Sequence, residues 1–549
     1  MKNVKDVTNV TTSYAGKLPH KTLSVCWKCG RVLDAIVYEE NGKVWIERKC
    51  PEHGKLKEVY WESAEYYDRA RKYYDAGIRL ENPNMSKIGV SGINCPYDCG
   101  LCSLHKSHTA LINLVVTNRC DLSCWYCFFY AREGDPIYEP SLEQIRSMLK
   151  ILREQRPVAA NAVQITGGEP TLREDLVEIV KIAKGLGFDH VQVNTDGINL
   201  ALNPELAIKL REAGTNTIYM SFDGISERAN PKNHYEVPLA LENLRKAKLG
   251  VVLVPTVIRG VNDHEIGGIV NFGLNHIDIV RGINFQPVSL VGRMPAKLRE
   301  KQRITIPGVI SLLEEQSNGA IAKEDFYPIP VITPVSHFVK AFTGKPQYTL
   351  SNHFACGAAT YVYLDKEKKS VIPLPRFIDV DGFMEYLKEK TEELKKGKSK
   401  KIIAIKLLLK LRRFVIKEKQ PKGFNITKLL FNALIKHNYS ALGALHHKVL
   451  FIGMMHFMDK YNYDIERVQR CNIHYVLPNG KVVPFCTFNV FPEIYRDKIQ
   501  RQHSISWTEW KKRNKGKKLE DEKYKRDIEK LKNTPAYKEA YRLVDYFGG

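Results

Sequence analysis

The sequence predicts an α/β protein organised around a parallel sheet, and three observations carry that prediction. Between residues 109 and 305, six apolar, β-branched runs recur at intervals, each a candidate strand. Amphipathic segments of helical period lie between them, and strands alternating with helices argue for parallel βαβ units. The cysteines cluster outside and at the edge of this repeat, so metal chemistry is expected at its rim.

Residues 1–108 read as an N-terminal cysteine-rich domain. Short alternating strands fall within 24–62, around a turn at Asn41-Gly42. The six central strands are expected at Leu111–Thr117, Ala162–Thr166, His190–Asn194, Thr217–Phe222, Val251–Ile258 and Gly282–Val288. Helices are expected at Leu142–Leu152, Asp175–Leu186, Pro204–Ala213 and Val237–Leu249. Residues 306–549 form a third, mixed α/β region with a helical, very basic segment at 383–450. Near its end, Cys471 and Cys486 flank a hairpin with Asn479-Gly480 at the turn.

A chain of 549 residues exceeds one domain, and 44% hydrophobic residues without low-complexity tracts describe an ordinary globular protein. The opening MKNVKDVTNV lacks the apolar core of a secretory signal. The longest apolar run, Val449 to Met458, is far short of the roughly 20 residues that span a bilayer. Twelve cysteines in tight groups fit metal binding in a reducing cytoplasm better than disulfides, and imply anaerobic handling. The net charge of +23 suggests a polyanionic partner: nucleic acid, an anionic membrane surface or a phosphorylated substrate.

The run Cys120-Asp-Leu-Ser-Cys124-Trp-Tyr-Cys127 follows the first strand directly. Its C-x3-C-x2-C spacing offers three thiolates to a [4Fe–4S] cluster and leaves the fourth iron without a protein ligand; a zinc site is the simpler alternative. The second strand ends in Gly167-Gly168-Glu169-Pro170. Together these resemble the radical SAM superfamily. The resemblance implies a partial (β/α)6 barrel with its site on loops after the strands. It also implies that S-adenosylmethionine (SAM) binds the open iron and is split by one electron to a 5′-deoxyadenosyl radical. By position, Tyr126 would lie beside adenine, and Gly167, Gly168 and Glu169 would receive the methionine amino group. Asn194, Ser221 and Asp223 are candidates for the ribose hydroxyls and methionine carboxylate, or else cap the helices that follow. Val257-Ile258-Arg259-Gly260 resembles the adenine-side motif less specifically.

Nine cysteines remain. Cys26-x2-Cys29 with Cys50-Pro-Glu-His53 looks like a zinc ribbon or rubredoxin-like knuckle, with His53 as fourth ligand if the metal is zinc. Cys95-x3-Cys99-x2-Cys102 repeats the cluster spacing without a GGEP behind it and reads as an auxiliary site. His105 and His108 are spare ligands there, or simply solvent-facing histidines. Cys356, Cys471 and Cys486 form a third group, or are buried thiols.

The segments SVCWKCG at 24–30, CPEHG at 50–54, CPYDCGLC at 95–102, CDLSCWYC at 120–127, ITGGEPTLREDL at 165–176 and CNIHYVLPNGKVVPFC at 471–486 resemble the archaeal tetraether lipid synthases, a label overlapping the dihydropterin methyltransferases. That likeness implies two auxiliary [4Fe–4S] clusters and one mononuclear iron or zinc. It implies coupling of terminal methyl carbons on archaeal diether phospholipids, at the inner membrane face, with a low-potential donor such as ferredoxin. The segment Lys401–Lys417, with basic residues at near-helical intervals among aliphatics, suits an anionic membrane surface or else a core-facing helix with a solvated basic edge, and Ile426–Ile435 continues it. Without a recognisable RNA-binding module, nucleic acid is not expected. The alternative substrate is a dihydropterin of methanopterin biosynthesis, methylated by SAM.

Overall fold

The computed structural model describes residues 16–83, 94–129, 135–292, 294–421, 427, 449–516 and 523–548. The chain opens with an antiparallel sheet of β1 (His20–Val25), β2 (Val32–Glu40), β3 (Lys43–Cys50) and β4 (Gly54–Trp61) in that order. Asn41 and Gly42 both take positive φ, 52° and 73°, the geometry of a two-residue hairpin matched to strand twist. Leu33, Ala35 and Val37 alternate with exposed neighbours, so one face of the sheet is buried.

The central strands are β5 (Leu111–Thr117), β6 (Ala162–Gly167), β7 (His190–Thr195), β8 (Thr217–Ser221), β9 (Val251–Val254), β10 (Thr256–Val257) and β11 (Val280–Pro287). They agree with the runs expected from the sequence to within a few residues. The C-terminal region adds β12 (Tyr327–Pro328), β13 (Gly357–Asp365), β14 (Ser370–Pro373), β15 (Val449–Met455), β16 (Ile473–Val476) and β17 (Val482–Pro484) to the same sheet. β16 lies parallel beside β5, and β15 parallel beside β11, so the parallel run reads β16-β5-β6-β7-β8-β9-β11-β15. The sheet curls into a partial barrel whose two edges meet at one end. There Phe457 stacks on Phe485 with centroids 3.9 Å apart, and the Met458 N–H donates to Cys486 Sγ at 3.4 Å.

Outward-facing strand residues such as Ile112, Leu114, Val163 and Ile165 pack under helices Leu142–Arg153 and Leu176–Gly185. Inward positions are polar: Gln164 Nε2 donates to Asn113 at 2.7 Å, and Gln192 Nε2 to Gln164 at 2.5 Å. A buried amide ladder of this kind is tolerated because its members satisfy one another.

The basic helix spans Lys400–Lys410. Its Ile403 and Leu407, with Leu411 just beyond, are buried against Phe338, Phe383 and Leu387, so one side of the helix faces the core, while Ile402, Ile405, Leu408 and Leu409 are exposed. Ile426–Ile435 lies outside the described residues apart from Thr427. Among the described residues, no helix is long and apolar enough to cross a membrane.

Candidate active site

A cavity of about 230 Å³ opens at the C-terminal ends of the parallel strands. Cys120, Cys124 and Cys127 line it, together with Tyr126, Gly167, Gly168, Glu169, Asn194 and Ser221. The two glycines are required by close backbone approach. A Cβ on Gly167 would sit 2.2 Å from the Thr117 carbonyl oxygen, and one on Gly168 2.0 Å from that of Arg119. In return the Gly168 N–H donates to Thr117 at 2.9 Å, and the Glu169 N–H to Arg119 at 2.7 Å. The GGEP turn thus clamps the chain just before Cys120 and fixes where the cysteine loop begins.

Glu169 is buried and held by protein donors: Thr171 N–H and Oγ1 at 2.9 and 2.6 Å, Thr195 Oγ1 at 2.8 Å and Asp196 N–H at 2.8 Å. Burial, then the nearby Asp121 carboxylate, push its acid up to about 7. Burial and the same neighbours raise Asp196, and burial raises Asp121. Among the described residues, no N–H or hydroxyl donates to Asp196 Oδ2. Three carboxylates crowded into one apolar corner disfavour their charged forms and create a strong demand for a cation.

Across the cavity, the Tyr126 hydroxyl donates to Asp223, whose other oxygen accepts the Thr256 N–H at 2.9 Å. Lys232 completes this group, 2.7 Å from Asp223 and 3.0 Å from the Tyr126 oxygen. Sequence reading missed Lys232, a single lysine in the loop after β8 with no spacing signal around it. Asn194 donates to Thr166 at 3.2 Å. Neither Asn194, Ser221 nor Asp223 caps a helix; Gly197 and Glu236 occupy those positions.

Cys26, Cys29, Cys50 and His53 form a compact set. Both Cys26 Sγ and Cys50 Sγ lie 3.5 Å from His53 Nδ1, and Cys29 Sγ is 3.9 Å from Cys50 Sγ. Bonds of 2.0–2.3 Å to a tetrahedral metal imply ligand–ligand edges of about 3.3–3.8 Å. Cys95, Cys99 and Cys102 gather on their own loop, where burial pushes the Cys99 thiol up to about 12. Burial also pushes Cys486 up to about 12, with Cys356 adding to the rise, and burial and Cys486 raise Cys471. His105 and His108 correct an expectation: they are 6% and 0% exposed rather than solvent-facing. His105 contacts the Cys471 carbonyl at 2.9 Å, and His108 Nε2 accepts the Thr349 N–H at 2.8 Å.

Residues 114–273 match the radical SAM superfamily profile, and residues 18–62 match the HMPTM N-terminal zinc ribbon domain. The 7,8-dihydro-6-hydroxymethylpterin dimethyltransferase of Methanocaldococcus jannaschii is 46% identical over 505 residues, covering 90% of this chain and 97% of that one. The chain belongs to the radical SAM superfamily, and to the family of that relative. A [4Fe–4S] cluster with SAM therefore belongs to its chemistry. A probable GTP 3′,8-cyclase of Saccharolobus islandicus is 30% identical over 296 residues, 52% of this chain and 89% of its own. Among solved structures, methylornithine synthase aligns at 18% identity over 39% of this chain and 64% of its own, with a TM-score of 0.31.

The full-length relative overturns the expectation of tetraether lipid coupling. The expected partners fall with it: diether phospholipid, an anionic membrane surface and ferredoxin. A physical reason accompanies the correction. The barrel lumen carries the amides of Asn113, Gln164 and Asn284, and an alkane chain could not pair those donors and acceptors that they do not already use on one another or on Met455.

Proposed function

We propose that this radical SAM enzyme methylates a dihydropterin of the 7,8-dihydro-6-hydroxymethylpterin class, with SAM as methyl source. One observation carries the reading: near full-length identity of 46% to a relative bearing that activity in its name. The cavity supports it. Phe457, Phe485 and Tyr475 line one wall, with Phe485 stacked on both partners, and suit the face of a flat heteroaromatic ring. The amides of Asn113, Gln164 and Asn284 offer donors and acceptors for its ring edge.

Cys120, Cys124 and Cys127 would hold the cluster that binds SAM, which supplies a 5′-deoxyadenosyl radical when reduced. Asp121, Glu169 and Asp196 would receive the ammonium and sulfonium charges. Tyr126 would flank adenine, while Lys232 with Asp223, Asn194 and Ser221 would orient the carboxylate and ribose. Cys95, Cys99 and Cys102 would hold one auxiliary [4Fe–4S] cluster and Cys356, Cys471 and Cys486 another. Cys26, Cys29, Cys50 and His53 would hold zinc. The division into 1–108, 109–305 and 306–549 is proposed as one of function, because β12 to β17 of the last region share the barrel sheet.

The test is anaerobic incubation of reconstituted protein with SAM, dithionite and 7,8-dihydro-6-hydroxymethylpterin, followed by mass spectrometry. Added methyl mass on the pterin is expected, and its absence with intact SAM turnover sinks the substrate assignment. Cys124→Ala should abolish deoxyadenosine formation.

A further inference from the structure

Arg467 is fully buried, yet among the described residues it forms no ion pair with a carboxylate. Its Nε donates to Cys356 Sγ at 3.3 Å and its Nη2 to the His456 carbonyl at 2.8 Å, while Nη1 has no hydrogen-bond partner. A guanidinium in such a place requires an anion. Beside it stands His456, 1% exposed, with neither ring nitrogen hydrogen-bonded among the described residues. Buried polar atoms are almost always satisfied, and an exception of this kind points to an absent ion or group.

The fold aims the two features at one spot. β13 and β15 pair antiparallel with Gly357 opposite Met455, and the ladder continues one step, the His456 N–H donating to the Cys356 carbonyl at 3.0 Å. Residues directly opposite in such a ladder project from the same face, with Cβ atoms about 4.5–5.5 Å apart. Cys486 arrives from the other edge of the barrel, where its Sγ meets the Met458 N–H at 3.4 Å, and the β16–β17 pairing, with His474 opposite Pro484, brings Cys471 to the same end of the hairpin as Cys486. The other histidines nearby are engaged: His105 by the Cys471 carbonyl, His353 by the Ala355 N–H, His474 by Thr109.

We propose that His456 is the fourth, non-cysteine ligand of an iron–sulfur cubane held by Cys356, Cys471 and Cys486, with Arg467 as its counter-charge. The inference rests on the reading of those three cysteines as an auxiliary cluster site. A cubane with three thiolates carries net negative charge, which answers Arg467, and its remaining iron accepts a neutral imidazole nitrogen, which answers His456. Two of its ligands, His456 and Cys486, adjoin Phe457 and Phe485 in the chain, the aromatic wall of the cavity.

The deciding measurement is pulsed EPR on the reduced, full-length protein grown with ¹⁵N-histidine and kept free of SAM. A strong histidine-nitrogen coupling is expected in the wild type and lost in His456→Ala. His456→Cys should retain the wild-type iron and sulfide content while losing the nitrogen coupling, and it decides the matter if the alanine variant does not fold. No histidine coupling in the wild type, or a coupling that survives in His456→Cys, overturns the assignment. Cys471→Ala checks the underlying reading separately: loss of one cubane's worth of iron is expected, and full retention overturns the site itself.

Discussion

The Lys232 ammonium lies 2.7 Å from the Asp223 carboxylate, with side chains only 10% and 5% exposed, on the wall of the cavity that holds Cys124. Both charges are removed from water, so each depends on the other, and removing one partner of a buried pair costs roughly 3–5 kcal/mol. Asp223→Asn should therefore destabilise the protein by about 3 kcal/mol in anaerobic denaturant melts. It should also weaken SAM binding by more than tenfold, about 1.4 kcal/mol, because Tyr126 and Lys232 lose their common acceptor. Iron content should stay at the wild-type level, since no cysteine is disturbed; equilibrium dialysis with iron analysis reads both effects.

The acid corner predicts a pH dependence. Glu169 titrates near 7 when folded, because burial and Asp121 oppose its charge, against about 4.3 for a free glutamate. Between those values the folded site holds a proton that the unfolded chain has released, so its contribution to stability is present at low pH and fades as pH rises towards 7. A cationic ligand reverses the preference and favours the ionised site. SAM affinity should rise up to tenfold per pH unit from 6 to 7 and level off by 8. Glu169→Gln should bind SAM more weakly at pH 8 and lose most of this slope, as measured by anaerobic calorimetry across that range.

At the ribbon, the ligand spacings are those of a tetrahedral ion rather than a cubane. Metal analysis should return one zinc per chain, and His53→Ala should lose it at moderate chelator concentration while retaining the cluster iron. Because Leu33 and Trp27 pack against Cys26 and Cys50, the loss should also loosen β1 to β4, seen as faster amide exchange in residues 20–61.

The six barrel strands were legible because each is a continuous β-branched run bounded by Gly, Asn, Asp or Pro, a local signal. GGEP was legible as a turn, but its tie to Thr117 and Arg119 was not, since those residues lie some fifty positions earlier in the chain. The same holds for β15 and β16. Each reads as a short apolar segment, yet both close the parallel sheet, one against β11 and one against β5, a pairing set by long-range packing. Lys232 and His456 carried no spacing signal; only burial without water shows that they need partners. The basic helix was ambiguous for a related reason, because near-helical lysines look alike whether the aliphatics beside them face outward, as Ile405 and Leu409 do, or pack on Phe338 and Leu387, as Ile403 and Leu407 do.

Three parts of the chain meet on Arg303. Its Nε lies 2.7 Å from Glu58 on β4, and its Nη2 is 3.0 Å from Asp459, just past β15. Asp459 is fully buried and also accepts the Leu290 and Tyr461 N–H groups at 3.1 and 2.9 Å; the Arg303 charge leads the effects that hold its acid below the usual range against its burial. Arg303→Met strips buried Asp459 of its arginine, while Glu58 keeps Arg299 at 2.9 Å, so a loss of roughly 3–5 kcal/mol is expected. Adding Asp459→Leu should recover part of that loss rather than add to it, because the second change removes the stranded charge instead of a further contact. A strictly additive pair of losses would show that Arg303 and Asp459 act independently, and the ribbon would then be held by its other polar ties, such as those of Thr22 and Tyr60 to Asp464, each at 2.7 Å.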